Sequence, residues 1–90
     1  MKRIYVINSE YRCEKYDIYE KGSKSAFNDL EKAKARLKTI ANEIITTIKE
    51  KYDEDDIEIE ETEMSCSAYL AYRYDEYHED VWIDEVEVED

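Results

Sequence analysis

The sequence has few of the residues on which enzyme sites depend: no proline, one glycine (Gly22), one histidine (His78) and two cysteines (Cys13 and Cys66). A single glycine cannot form a glycine-rich phosphate-binding loop, and the Cys and His residues are too few for a zinc site. The acidic run Asp53–Asp56 lacks the glycine of an EF-hand calcium loop. A catalytic triad would have to use His78, which we interpret as a solvated histidine in a turn. We therefore expect no catalysis, no metal and no cofactor.

The two cysteines form no Cys-x-x-Cys pair, which is typical of a reduced, cytoplasmic protein. We expect both to be small buried apolar residues, with a Cys13–Cys66 bridge as the alternative if their strands are neighbours. No apolar run approaches the roughly 18 residues that a membrane span requires. The first residues, MKRIYVINSEYR, also lack the apolar stretch of a signal peptide. The sequence therefore predicts no membrane association.

The first part of the chain favours a β-hairpin within a single domain of 90 residues. Two segments rich in Tyr and Ile, Lys2–Asn8 and Cys13–Glu20, are strand candidates. The intervening Ser9–Arg12 is short enough for a hairpin connection, and Gly22–Ser25 is predicted to be a loop.

A long amphipathic helix is predicted next. Asn28 and Glu31 have the spacing of a capping box, so the helix is expected to begin with Asn28 as its N-cap. Apolar residues then recur at steps of three and four to about Tyr52, which places them on one helical face. They are Leu30, Ala33, Leu37, Ile40, Ala41, Ile44 and Ile48.

Beyond the helix the apolar period changes to two, which is typical of strands. Strands are predicted around Ile57–Glu60, over Met64–Tyr74 and over Val81–Glu89, with a polar turn at Asp75–Asp80. Val81, Ile83, Val86 and Val88 can share one face only if a bulge lies near Asp84–Glu85. The order ββαβββ predicts an α+β fold in two layers, an antiparallel sheet with one long helix packed on one face. The other face is left to water or to a partner.

Charge divides the chain near Tyr52. Residues 1–52 hold 12 basic and 8 acidic residues, a balance of +4, whereas residues 53–90 hold one basic residue, Arg73, and 17 acidic ones, a balance of −16. High net charge alone would favour solubility, but solubility does not account for such an asymmetry. Glutamate is also a poor strand former, and like charges on neighbouring strands repel. Local rules broken without a local gain indicate a functional surface.

Dense carboxylates on strands resemble the phosphates of a nucleic acid. Residues on one face of a strand repeat every ~6.7 Å, whereas a nucleic acid strand carries a phosphate every ~3.4 Å. Two adjacent acidic strands, together with the Asp53–Asp56 turn, would therefore be needed to match that density. Direct binding of nucleic acid by this chain is not expected, because the acidic half repels phosphate.

In length and composition the chain resembles small, very acidic inhibitor proteins of phages and mobile elements, the anti-restriction DNA mimics and anti-CRISPR proteins. The resemblance covers residues 53–90 and matches no motif. It implies a partner that is a basic nucleic-acid-binding protein, in the cytoplasm of the host cell. The predicted partner-binding residues are Asp53, Glu54, Asp55, Asp56, Glu58, Glu60, Glu61, Glu63, Tyr72, Tyr74, Asp75, Glu76, Tyr77, Glu79, Asp80, Trp82, Glu85 and Glu87.

A second hypothesis is a structural or regulatory interaction domain. The chain has 9 tyrosines and one tryptophan, more than so small a core can hold, so several should lie on the open sheet face. Such a face could form a homodimer, in which the basic and acidic parts of two copies meet across a two-fold axis.

Overall fold

A computed structural model describes residues 2–88 and has the predicted α+β architecture. Within these residues, five strands form one antiparallel sheet, and a single long helix packs against one of its faces. The helix, α1, covers Leu30–Lys51. The strands are β1 (Lys2–Cys13), β2 (Ile18–Phe27), β3 (Ile57–Glu61), β4 (Ser65–Leu70) and β5 (Tyr77–Val88). The predicted order ββαβββ is confirmed.

The sheet is built around its first and last strands. Its strand order is β2-β1-β5-β4-β3, so that β1 and β5, each of 12 residues, pair along their full length at the centre. The short, acidic β3 and the longer β2 form the two edges.

The first hairpin lies further along the chain than the sequence predicted. Ser9–Arg12 belongs to β1, and the connection is a 3₁₀ turn at Glu14–Tyr16 followed by Asp17. Asp17 adopts a left-handed conformation with φ 53°, which Asp tolerates better than most residues. The predicted loop Gly22–Ser25 is also wrong, because it lies within β2, where the pairing with β1 shifts in register beside Ile7. The irregularity is therefore a bulge within a strand.

Helix α1 confirms the predicted apolar face, but it begins with a different cap. The Asp29 side chain accepts hydrogen bonds from the amides of Glu31 at 2.8 Å and Lys32 at 3.4 Å, so Asp29, and not Asn28, is the N-cap. The helix ends at Lys51, with Tyr52 as its C-cap. Its buried residues are Ala33, Leu37, Ile40, Ala41, Ile44 and Ile48.

The core fills the space between α1 and one sheet face. Ile7 of β1 and Ile83 of β5 pair directly and are both buried there, with Val81 and the β4 residues Ala68 and Leu70. Both cysteines are free and buried in this layer. Burial raises the pKa of the Cys66 thiol to about 11.

The predicted bulge in the last strand is wrong. The pairing of β1 with β5 runs without a shift from Lys2↔Val88 to Cys13↔Tyr77. Strict alternation therefore places Val81 and Ile83 on the helix side and Val86 and Val88 on the opposite side. Val86 and Val88 therefore lie outside the core.

Candidate partner-binding surface

We call the sheet side that faces away from α1 the open face. Every second residue of the central strands points to it: Glu10 and Arg12 on β1, and His78, Asp80 and Trp82 on β5. The register of β4 and β3 extends this face to Ser67 and Tyr69, and then to Glu58 and Glu60 at the sheet edge.

His78 is not the solvated turn residue that the sequence suggested. It is the second residue of β5 and is only 3% exposed, because Tyr74 covers it. The two rings are stacked with centroids 4.2 Å apart and planes 8° from parallel. The imidazole Nδ1 lies 3.2 Å from the Tyr74 carbonyl oxygen, and Nε2 lies 3.3 Å from a carboxylate oxygen of Glu10. His78 therefore holds the loop before β5 against the open face.

Tyr74 joins this stacked pair to an acidic group. Its hydroxyl donates a hydrogen bond to Asp80 Oδ2, and its ring meets Tyr69 edge to face at 5.2 Å. Burial and the bond to Asp80 raise the pKa of the Tyr74 hydroxyl above its usual value. The other oxygen of Asp80 is buried, and no hydrogen-bond partner for it is found among residues 2–88. Glu10 lies directly opposite Asp80 in the sheet register, so two carboxylates share this part of the surface.

The sheet edge at β3 and the turn before it carry exposed acidic residues. Glu58 and Glu60 point to the open face, and Tyr69 donates its hydroxyl to Glu60 at 3.2 Å. Asp53 and Asp55 belong to the turn before β3. We call these four exposed acidic residues (Asp53, Asp55, Glu58 and Glu60) the acidic edge; within the described residues none of them takes part in an ion pair.

Three of the other predicted acids are paired with the helix. Glu54 lies 3.7 Å from Lys49, Glu61 lies 3.1 Å from Lys38, and Glu63 lies 3.4 Å from Lys34. Basic and acidic parts of the sequence thus already meet inside one chain. The electrostatic reason for two copies to pair is correspondingly weaker.

Glu85 and Glu87 lie far from the acidic edge. They point to the helix side near the end of β5, where both contact Arg3, at 2.9 Å and 3.9 Å. The structure therefore separates them from the acids of β3.

Matching the phosphate density would require the two acidic strands, β3 and β5, to be neighbours, and in the sheet they are not. β4 lies between β3 and β5, which sets them about two strand spacings, ~9.6 Å, apart. β4 contributes Ser65, Ser67 and Tyr69 to the open face in between. On the open face β3 consequently presents a single acidic row, Glu58 and Glu60, with a spacing of ~6.7 Å, close to that of every second phosphate.

The predicted aromatic contacts divide between the two sides of the sheet. Tyr72 and Tyr74 are exposed, and Trp82 is half-buried on the open face, where its Nε1 donates to Asp84 at 3.0 Å. Tyr77, in contrast, is fully buried in the core between the rings of Tyr11 and Tyr52. Its position removes Tyr77 from the surface that a partner could reach.

Three further predicted residues lie elsewhere. Glu79 points to the helix side, and its burial raises the pKa of its carboxyl above the usual value. Asp75 and Glu76 precede β5 near the first hairpin, where the Glu76 carbonyl accepts from the Glu14 amide at 2.9 Å. Asp56 is half-buried, and its carbonyl accepts from the Ala71 amide at 2.9 Å.

Two exposed tyrosines were missed by sequence reasoning. Tyr16 and Tyr19 are 62% and 58% exposed. Tyr19 pairs with Arg12, which brings it to the row of the open face that contains His78. Their positions depend on where the first hairpin turns. Asp17 was the sequence signal for that turn, because Asp tolerates the left-handed conformation that the turn requires.

Among residues 2–88, no group of three or more His, Cys, Asp or Glu side chains is arranged to hold a metal ion. Nor is any helix in that range both long and apolar enough to cross a membrane. Comparisons with protein families, with curated proteins and with solved structures found no match.

Proposed function

We propose that this chain is a non-enzymatic inhibitor that binds the basic nucleic-acid-binding surface of a protein, such as a CRISPR or restriction effector, by mimicking nucleic acid. The observation that carries the proposal is the acidic edge, four exposed carboxylates without an ion pair among the described residues. Unpaired carboxylates remain available to the Lys and Arg side chains of another protein.

The surroundings of the acidic edge suit such a contact. Exposed Tyr74 and half-buried Tyr69 lie on the same sheet face beside Glu60, and Tyr72 is 59% exposed in the loop that precedes β5. Tyr rings supply contact area at low conformational cost and accept arginine above their faces. A basic groove built for phosphates and bases would meet carboxylates and aromatic rings here.

Electrostatics gives the proposed binding a distinct signature. The chain carries a net charge of −12, so association with a basic protein should be fast at low salt. Because the carboxylates are exposed, added salt screens them within about 10 Å at 0.1 M. We expect affinity to fall steeply as salt rises, and nucleic acid to compete with this chain for its partner.

The test compares two variants with equal charge. Asp55→Asn, Glu58→Gln and Glu60→Gln together neutralise three exposed acids of the acidic edge, whereas Glu20→Gln, Glu43→Gln and Glu50→Gln neutralise three exposed acids elsewhere. Each protein is immobilised and used to capture partners from a bacterial lysate at low salt, with and without duplex DNA. The captured protein is then assayed for DNA binding in the presence of each variant.

Wild type and the second variant should capture the same protein and block its DNA binding, and the first variant should do neither. Capture that is unaffected by the first variant, or a ternary complex with DNA, would contradict the mimic mechanism. Circular dichroism of each variant shows whether the fold is retained.

A further inference from the structure

The open face changes character along β1 and β5. Towards the start of β1 it carries four aliphatic side chains, which the register places in neighbouring rows as Ile4↔Val86 and Lys2↔Val88, with Val6 next to Asp84. Val86 is 43% exposed. We call Ile4, Val6, Val86 and Val88 the aliphatic patch.

The aliphatic patch is continuous with the single tryptophan. Trp82 is half-buried in the row beyond Val6, between Asn8 and Ser65. Its indole donates to Asp84, which also accepts from the Asn8 side chain. The buried cluster under α1 draws on residues of the other sheet face. Contiguous aliphatic side chains and a tryptophan on a solvated sheet face are typical of a surface that another protein covers.

Two opposite charges flank the centre of the aliphatic patch, one on each side. Exposed Lys2 lies one row to one side of the Ile4–Val86 pair, and exposed Asp84 lies one row to the other side on the neighbouring strand. A two-fold axis that crosses the strands at the Ile4–Val86 row would exchange these two rows. Lys2 of each copy would then lie beside Asp84 of the other, with Ile4 and Val86 packed at the centre.

From this self-complementarity we infer that the aliphatic patch binds a second copy of this chain, open face to open face, in a weak homodimer. This inference goes beyond the proposed function and does not depend on it. The acidic edge and Tyr74 lie at the far end of the open face and stay accessible in such a dimer.

Other ways for two copies to meet are less favourable. The acidic end of the open face would bring Glu10, Asp80 and Glu60 against identical groups, and like charges repel. β3 is short and carries Glu58 and Glu60, and β2 is interrupted by its bulge, so both sheet edges have features that discourage strand pairing.

The size of the contact sets its strength. The three rows that this axis brings together, on two to three strands, cover roughly 20 by 12 Å, or about 240 Å² per copy. A stable dimer commonly buries about 800 Å² per partner. The dimer should therefore form only at high protein concentration. Each copy carries a charge of −12, and exposed pairs such as Lys2 with Asp84 contribute little, so the net effect of salt should be to strengthen the dimer by screening the repulsion between the copies.

Analytical ultracentrifugation over a wide concentration range, at low and high salt, tests the inference. Wild type should show a monomer–dimer equilibrium that shifts towards dimer with salt. Val86→Lys should abolish dimerisation, whereas Glu85→Gln, which alters charge equally on the opposite side of the same strand, should preserve it. Lys2→Glu should weaken the dimer by bringing two acids together.

Trp82 gives a second readout, because it is the single tryptophan and lies next to the aliphatic patch. Quenching of its fluorescence by acrylamide should decrease as wild type dimerises and stay constant for Val86→Lys. A protein that is monomeric at every concentration, a dimer that persists in folded Val86→Lys, or a dimer that dissolves in salt would each overturn the inference.

Discussion

The two faces of the sheet are made by the same strands but differ in almost every property. On β5, Tyr77, Val81 and Ile83 are buried under α1, while Asp80 and Trp82, one residue away from Val81 on either side, lie on the open face. A shift of one residue in register would exchange the two sets. The sheet face on which a side chain lies, more than its residue type, therefore decides which aromatic and acidic side chains are available to a partner.

The largest expected effect comes from two tyrosines that look alike in sequence. Tyr77→Ala removes a fully buried ring that contacts Tyr11 and Tyr52, and should lower the free energy of unfolding by about 3–5 kcal/mol. Tyr72→Ala removes a ring that is 59% exposed and should change it by less than about 0.5 kcal/mol. Urea denaturation measures both. Equal losses would contradict the assignment of faces.

Two valines of β5 test the register itself. Val81 is 1% exposed on the helix side, so Val81→Ala should cost about 2 kcal/mol. Val86 is 43% exposed on the open face, and Val86→Ala should be within about 0.5 kcal/mol of wild type. Thermal denaturation at a concentration where the protein is monomeric compares them. A large loss of stability in Val86→Ala would instead support a bulge near Asp84–Glu85 that turns Val86 towards the core.

A smaller loss of stability is expected when the hydrogen bond that Tyr74 makes on the open face is removed. Tyr74→Phe keeps the ring stacked on His78 but removes the hydroxyl that donates to Asp80. The loss of this hydrogen bond to a carboxylate should cost about 1–2 kcal/mol. Tyr72→Phe is the matched control. If the two variants are equally stable in urea denaturation, the loop before β5 is not held in this way.

The smallest expected effect is a gain in stability when Glu79, on the helix side of the sheet, is replaced by Gln. Burial raises the pKa of Glu79 above its ordinary value of 4.5, so its ionised form is less favourable in the folded state than in the unfolded state. The folded state then binds the proton more tightly, and stability falls as pH rises from the ordinary pKa through the raised one. Glu79→Gln should therefore raise Tm at pH 7.

This gain should disappear at a pH well below 4.5, where wild-type Glu79 is almost fully protonated in both states. Glu20→Gln, at an exposed site, serves as the control. A variant that is less stable than wild type at pH 7 would show that the nearby Lys24 and Lys51 outweigh the burial of Glu79.

The elements with strong periodicity follow from the local sequence alone. The apolar spacing from Leu30 to Ile48 can form one continuous stripe only on a helix, and α1 follows it. The change to a period of two after Tyr52 required strands, and with one helix available it required a sheet with an open face. These features depend on local repetition and need no knowledge of what lies opposite.

Features that depend on a neighbour in space follow from the tertiary packing instead. Pairing with β1 over 12 residues kept β5 regular and moved Val86 and Val88 to the open face. Packing under Tyr74 buried His78, and the insertion of β4 separated the acidic strands β3 and β5. Folding also brought Lys34 to Glu63 and Lys38 to Glu61, acids distant in sequence, and left the acidic edge exposed without an ion pair among the described residues. The physical reason is that strand order and register follow from long-range pairing, which the alternation within a single strand does not encode.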